Sequence, residues 1–364
     1  MNIKKFSLYL FIVILIICDA CKDKALEPSG SSSALEDAYT QAGHDANLKC
    51  LIVFKNDHII KEKYFHPGDS LSTFDIRSVT KSVMATLIGI AIDKAIIPSE
   101  DQKIGNYLRP LDGNMDSVKA NIKICDLLSM SSGIAGNDLI NTSEYNNWFN
   151  SPNQLFYTLN KPMDYPPGHT FEYNSGAAHL TSILLTKAAG MSTLQFANQY
   201  LFQPLGIVNY SWQKDVQGYY NGAAGVNLTP HDMLKLGQLY MNKGIYNGVR
   251  VVSEEWINKA SSFKITTNGV EPFGPDYGYF WWIGNVGKHG YFFANGYGGQ
   301  FIVVVPDLKL IVVATNKWSN IAAASANQDW YNTLYVIINK IIPLYELKIF
   351  KDKLAEAPKF ISSS

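Results

Sequence analysis

The chain has 364 residues, of which 47% are aliphatic or aromatic and 17% are charged. That is a globular composition with enough apolar material for one large domain or two intimate ones. Lys plus Arg and Asp plus Glu number 31 each, so the overall charge offers no attraction to nucleic acid or to an anionic surface.

The chain begins with Lys4 and Lys5, followed by the apolar run Phe6–Ile17, which is too short to span a bilayer comfortably. Residues 1–20 therefore read as an export signal and are set aside from the fold. Cys21 comes next, followed by Lys22-Asp23-Lys24 and a Ser/Gly-rich stretch, so residues 21–35 read as a lipid-attachment cysteine with a flexible tether. Cys18 and Asp19 fit a lipoprotein cleavage site poorly, which leaves simple secretion and an uncleaved membrane anchor as alternatives. In each case the folded part is expected outside the cytoplasm, on the periplasmic side of the cell envelope.

Cys50–Phe54 and Ile59–Phe65 are β-rich runs joined by Lys55-Asn56-Asp57-His58, which predicts a hairpin. Arg77–Ile92 reads as the start and body of a buried helix. From about Ser99 to Asn242 the pattern is helical and loop-rich, with breakers at Pro110, Gly133, Pro152, Pro166-Pro167, Gly190 and Gly206. Within it, Ala177–Ala189 is a helix stopped by Gly190, and Pro230–Met241 is a helix capped by Thr229. Strands are expected at Tyr277–Ile283, Tyr291–Ala294, Phe301–Val305 and Leu310–Thr315, and Trp330–Ile342 closes as an apolar helix. Strands at both ends around a helical middle predict an α+β fold. One antiparallel sheet is flanked by helices, with a mainly helical subdomain inserted at 99–242. The folded domain spans 36–348, and 349–364 is a tail.

Ser78 and Lys81 lie three positions apart at the start of the apolar run, so they share one helical face. Unpaired N–H groups at a helix start can receive an oxyanion, and an apolar setting lowers a lysine's pKa toward that of a base. The spacing by itself is weak: it recurs at Ser261-Ser262-Phe263-Lys264, which reads as surface, and Ser78 alone could be a helix cap. Cys50 and Cys125 sit in apolar company and read as buried free thiols rather than a disulfide framework. The seven histidines show no metal-ligand spacing, so neither a metal nor a cofactor is expected. No Gly-x-Ser-x-Gly elbow is present, which argues against an α/β-hydrolase.

Several segments in register resemble the serine β-lactamase and DD-peptidase superfamily, in its class C and esterase-like branch. They are Ser78-Val79-Thr80-Lys81, Leu127-Leu128-Ser129-Met130-Ser131-Ser132-Gly133 and Pro167-Gly168-His169-Thr170-Phe171-Glu172-Tyr173, with Thr229-Pro230-His231-Asp232-Met233 and Tyr277-Gly278-Tyr279-Phe280-Trp281-Trp282. The resemblance implies a β-lactamase/transpeptidase-like fold and an acyl-enzyme on Ser78, with Lys81 and Tyr173 sharing the proton traffic. A cation beside Tyr173 would ease ionisation of its phenol. The N–H groups of Ser78 and Tyr297 would form the oxyanion hole.

Two departures bear on the substrate. Tyr173-Asn174-Ser175 replaces the usual Tyr-x-Asn, a form that resembles the 6-aminohexanoate-dimer hydrolase and esterase members. In Ala294-Asn295-Gly296-Tyr297-Gly298-Gly299-Gln300, Ala294 stands where the third motif carries a cation, and Lys288-His289-Gly290 upstream reads as a turn. Without that cation, esters or amides are expected to be hydrolysed better than β-lactams. Ser175, Trp148, Gly296 and Gly298 are expected to line the substrate cleft. The expected ligand is a small ester, amide or peptide-like molecule. A β-lactamase or penicillin-binding DD-peptidase, and a non-catalytic envelope protein on the same scaffold, are the alternatives.

Overall fold

The computed structural model describes residues 29–65 and 70–346. The export signal, Cys21 and the 349–364 tail lie outside the described residues. The expected tether does not extend to residue 35, because Ser29–Ala42 forms helix α1. Its Leu35, Ala38, Tyr39 and Ala42 point inward, and the Tyr39 hydroxyl donates to the Leu51 and Lys61 carbonyls. This apolar stripe at helical spacing ties α1 to the sheet below it.

The sheet has eight antiparallel strands: β1 Leu48–Lys55, β2 His58–Tyr64, β3 Ile265–Thr266, β4 Asp276–Tyr277, β5 Trp282–Val286, β6 His289–Gly296, β7 Gln300–Val305 and β8 Leu310–Asn316. Their spatial order is β2-β1-β8-β7-β6-β5-β4-β3, so the first hairpin completes a sheet made otherwise from the last third of the chain. The hairpin turns on Asn56 and Asp57, both with positive φ, as a two-residue turn requires. β7 and β8 are Val-rich and buried at every position, the mark of strands covered on both faces.

The two faces can be read from adjacent residues of β7, which point to opposite sides. Ile302 meets Gly237 of helix α4 (Pro230–Met241), whereas Phe301 meets the Trp330 ring of helix α5 (Ala323–Val336). A side chain at Gly237 would strike Ile302 and Ile311, so the helix lies directly on the sheet there. α4 was expected in the helical middle and belongs instead to the sheet layer. Beside it, joined by a Thr86–Tyr240 hydrogen bond of 3.0 Å, runs helix α2 (Val79–Asp93), buried from Val79 to Ala91. The helical middle packs on α2 through helix α3 (Ser175–Ala189), which Gly190 ends at φ +64.

Two elements differ from expectation. Tyr277–Ile283 is not one strand: Gly278–Trp281 folds back, with Phe280 at φ +58, so β4 and β5 pair with each other. Hydrogen bonds hold this turn in place, with the Phe280 N–H donating to the Leu128 carbonyl and the Ser82 hydroxyl to the Phe280 carbonyl. Tertiary bonds thus overrode an aromatic run of high β-propensity. The helical middle also contributes two short strands, Ser211–Trp212 and Val226–Leu228, which join Phe74–Asp75 in a three-stranded sheet. That small sheet fixes the chain immediately before Ser78. Cys50 and Cys125 are free thiols, the first buried and the second half-buried.

Candidate active site

Ser78 sits at the mouth of α2, half-buried, with helical φ/ψ and no side-chain capping bond. The segment before it is clamped on both sides: the Ile76 N–H donates to the Val226 carbonyl, and the Val226 N–H to the Thr80 hydroxyl. One turn into the helix, Lys81 is only 1% exposed and points back at Ser78. Its Nζ donates to Ser78 Oγ at 3.0 Å, to Ser175 Oγ at 3.1 Å and to the Ala223 carbonyl at 3.0 Å. Burial brings the Lys81 pKa down to about 7; the Asp138 carboxylate opposes this and Arg77 adds to it.

Tyr173 reaches the same point from the other side. It precedes α3, whose cap Asn174 accepts from the Ala177 N–H and donates to the Ile134 carbonyl. The Tyr173 ring stacks on Trp282, and Lys81 Nζ lies 4.8 Å from its centroid. Burial holds the phenol well above its ordinary pKa; a hydrogen bond with the Ser78 side chain and the Arg77 charge pull it down only in part. The expected easing of phenol ionisation is therefore reversed, because the ring is almost sealed from water. Burial thus favours the protonated phenol of Tyr173 and the neutral amine of Lys81.

Ser175 and Trp148, both expected to line the cleft, are buried instead. Ser175 is spent on Lys81, and its N–H donates to Asp138 Oδ2 at 2.9 Å. Trp148 packs edge-on against His179 beneath α3. The glycines of the altered third motif admit the chain itself rather than a ligand. A Cβ on Gly296 would lie 2.4 Å from the Ile76 carbonyl, and one on Gly298, at φ +76, would lie 2.5 Å from Trp318 Cβ. The Gly296 approach presses the end of β6 against the strand leading into Ser78. Tyr297, next in line, is 39% exposed. Among the described residues, neither the Ser78 nor the Tyr297 N–H has a hydrogen-bond partner.

Sequence reasoning missed five contributors. Asp138 is held by its N–H bond to the Tyr173 carbonyl, and burial raises its pKa to about 6 against the pull of Ser175 and Lys81. The Ala223 carbonyl is aimed by Asn221, whose Oδ1 accepts from the Ala223 and Ala224 N–H groups. Behind it, His179 Nδ1 accepts from the Gly222 N–H, while Nε2 meets Asp215 Oδ2 at 3.0 Å in full burial. None of these carries a local motif; only the fold brings them together. Among the described residues no cluster of three or more His, Cys, Asp or Glu could hold a metal, and no helix is long and apolar enough to cross a membrane.

Ser78, Lys81 and Tyr173 thus meet at one helix end, a half-buried hydroxyl beside a buried amine and a buried phenol. Residues 50–333 match the family model described as Beta-lactamase. The chain belongs to the β-lactamase family. Among characterised relatives, the 6-aminohexanoate-dimer hydrolase of Paenarthrobacter ureafaciens is 23% identical over 301 residues, covering 73% of this chain and 72% of that protein. A Bacillus anthracis protein described as a 6-aminohexanoate-dimer hydrolase superposes with a TM-score of 0.70 at 18% identity, covering 85% of this chain and 82% of its own. EstCE1, a hydrolase with promiscuous acyltransferase activity, superposes at 0.67 and 16% identity, covering 84% and 98%. The mixed helix and antiparallel sheet architecture expected from the sequence is the one these neighbours share.

Proposed function

We propose that this protein is an exported hydrolase that cleaves an ester or amide through an acyl-enzyme on Ser78. Neutral Lys81 takes the Ser78 proton as Oγ attacks the carbonyl, and the Oγ–carbon bond forms. The negative charge gathers on the carbonyl oxygen, where the two unpartnered N–H groups of Ser78 and Tyr297 receive it. As the bond to the leaving group breaks, the Tyr173 phenol returns a proton to it and is itself reprotonated through Lys81. Water then attacks the acyl carbon by the same route and frees Ser78.

The observation that carries this reading is the 3.0 Å contact from Lys81 Nζ to Ser78 Oγ, with burial holding that amine near neutrality. A non-catalytic binder has no physical need for a buried amine aimed at a hydroxyl. The activities named for the relatives, on an amide dimer and in acyl transfer, agree with an ester or amide substrate. Ala294, where a cation would otherwise stand, argues against efficient β-lactam turnover. Cys21 is proposed as the lipid-attachment residue that anchors the exported chain at the membrane.

The test is burst kinetics of the chain lacking residues 1–21 on a p-nitrophenyl ester and a chromogenic cephalosporin, beside Ser78→Ala. Ester turnover abolished in Ser78→Ala, with little cephalosporin hydrolysis, is the expected result. Fast Ser78-dependent cephalosporin turnover would select a β-lactamase, and absence of any acyl-Ser78 by mass spectrometry would end the hydrolase reading. Fatty-acid labelling of the full chain, lost in Cys21→Ala, tests the anchor.

A further inference from the structure

Arg77 immediately precedes Ser78 and is held in the left-handed region at φ +50, which non-glycine residues seldom adopt. Its backbone N–H donates to Asp75 Oδ1 at 2.8 Å, which keeps the turn tight. The guanidinium is enclosed by aromatic rings: its carbon lies 4.2 Å from the Trp318 centroid, 5.3 Å from Tyr145 and 6.0 Å from Tyr297. The nearest carboxylate oxygen, Asp75 Oδ2, is 3.7 Å from a terminal nitrogen, too far for a hydrogen bond. Among the described residues its Nε is buried without a partner, and the rest of the fork meets only the long Asp75 ion pair and the Tyr145 hydroxyl.

A guanidinium carries five donors in a planar fork and cannot be neutralised by losing a proton. Leaving such a group sheltered with only one long ion pair is costly, so an arrangement of this kind is suited to a partner that arrives with the ligand. Aromatic faces stabilise the charge without using its N–H donors. The group is also close to the chemistry, since its field acts on both Lys81 and Tyr173. Exposed Tyr297 and half-buried Trp318 border it, and its side chain keeps 16% of its surface open. Asp75 neutralises the charge only in part, through one long contact.

We propose that Arg77 is the specificity determinant of the cleft and binds a carboxylate of the substrate, through guanidinium N–H groups that Asp75 leaves available, on the Tyr297 and Trp318 side of Ser78. This rests on the ester or amide hydrolase reading and narrows it to acidic substrates, which the loss of a cation at Ala294 alone would have made unexpected.

Two matched pairs of esters test it. Mono-p-nitrophenyl adipate against p-nitrophenyl hexanoate carries the charge on the acyl side, and 3-acetoxybenzoate against phenyl acetate carries it on the leaving side. In the wild type, kcat/KM is expected to favour the acidic member of at least one pair, mainly through KM, and added salt should erode that preference. Arg77→Gln should lower the preference about ten- to hundred-fold, the range of a charge-assisted hydrogen bond, and Arg77→Lys should restore part of it. A preference absent in the wild type, insensitive to salt, or equal in Arg77→Gln would overturn the proposal. If Arg77→Gln does not fold, the wild-type preference and its salt dependence still decide. Fluorophosphonate labelling of Ser78 is run in parallel: failure to label rejects the hydrolase reading, whereas labelling without acidic preference rejects only the role of Arg77.

Discussion

Lys81 and Arg77 are two sheltered cations four residues apart, with opposite surroundings. Lys81 is surrounded by oxygen, donating to Ser78, Ser175 and the Ala223 carbonyl, whereas the Arg77 guanidinium is faced mainly by rings, with Asp75 at 3.7 Å as its carboxylate neighbour. Burial has different consequences for the two. A lysine can escape the cost of a buried charge by shedding its proton, and the pKa of about 7 shows how far it has moved in that direction. An arginine has no such escape and keeps its charge for whatever anion can pair with it. The same helix mouth thus holds one cation suited to proton transfer and one suited to binding.

The comparison breaks most sharply at Lys81. Lys81→Met should lower kcat/KM on a p-nitrophenyl ester about 10³-fold or more, the upper part of the general-base range. The wild-type rate should rise with pH through about 7, because the neutral amine is the active form, and this limb should vanish in the variant. If Lys81→Met retained the limb, another group would be the base. Tyr173→Phe keeps the stack on Trp282 but loses the donor hydroxyl, so kcat should fall about 10²-fold with little change in thermal stability.

A stability measurement separates the two cations from the scaffold that brings them together. In Gly296→Ala the new methyl would meet the Ile76 carbonyl at 2.4 Å, and neither strand can yield without moving the approach to Ser78. A loss of about 1–3 kcal/mol in denaturant unfolding is expected, with a lower rate of Ser78 labelling. Unchanged stability would mean that the end of β6 is free to shift.

How much of this was legible in the sequence depended on whether a feature was local. The Ser78–Lys81 pair, the Asn56-Asp57 turn and the Gly190 helix stop are set by spacing or by φ over a few residues, and they stand where the pattern indicated. Trp148 was misjudged because an aromatic near a motif looks the same in sequence whether it faces the cleft or the core beneath it. Gly296 and Gly298 marked close approaches, but the sequence could not say that the approaching groups were Ile76 and Trp318. Asp138, Ala223 and the His179–Asp215 pair reach Lys81 across long sequence separations, with no motif to announce them. Arg77 lay inside the most informative stretch, yet its aromatic enclosure depends on Tyr145 and Trp318, which only the folded chain brings to it.

The smallest expected effect gives the sharpest test of the contrast, because it has a sign for each partner. The Asp138 carboxylate raises the Lys81 pKa against burial and the Arg77 guanidinium lowers it alongside burial, which is the leading cause. Asp138→Asn still offers an oxygen to the Ser175 N–H but removes the negative charge, so the protonated amine loses support and its pKa falls further. The rising limb of the pH–rate profile should then move to lower pH. Arg77→Gln removes a repelling charge, so the limb should move the other way, to higher pH. Both displacements should be smaller than the one burial produces, since burial is the leading cause. Opposite shifts, read on a neutral ester so that carboxylate binding plays no part, would show that the two flanking charges act on one base. Shifts of the same sign would mean that the substitutions rearrange the site rather than change its field.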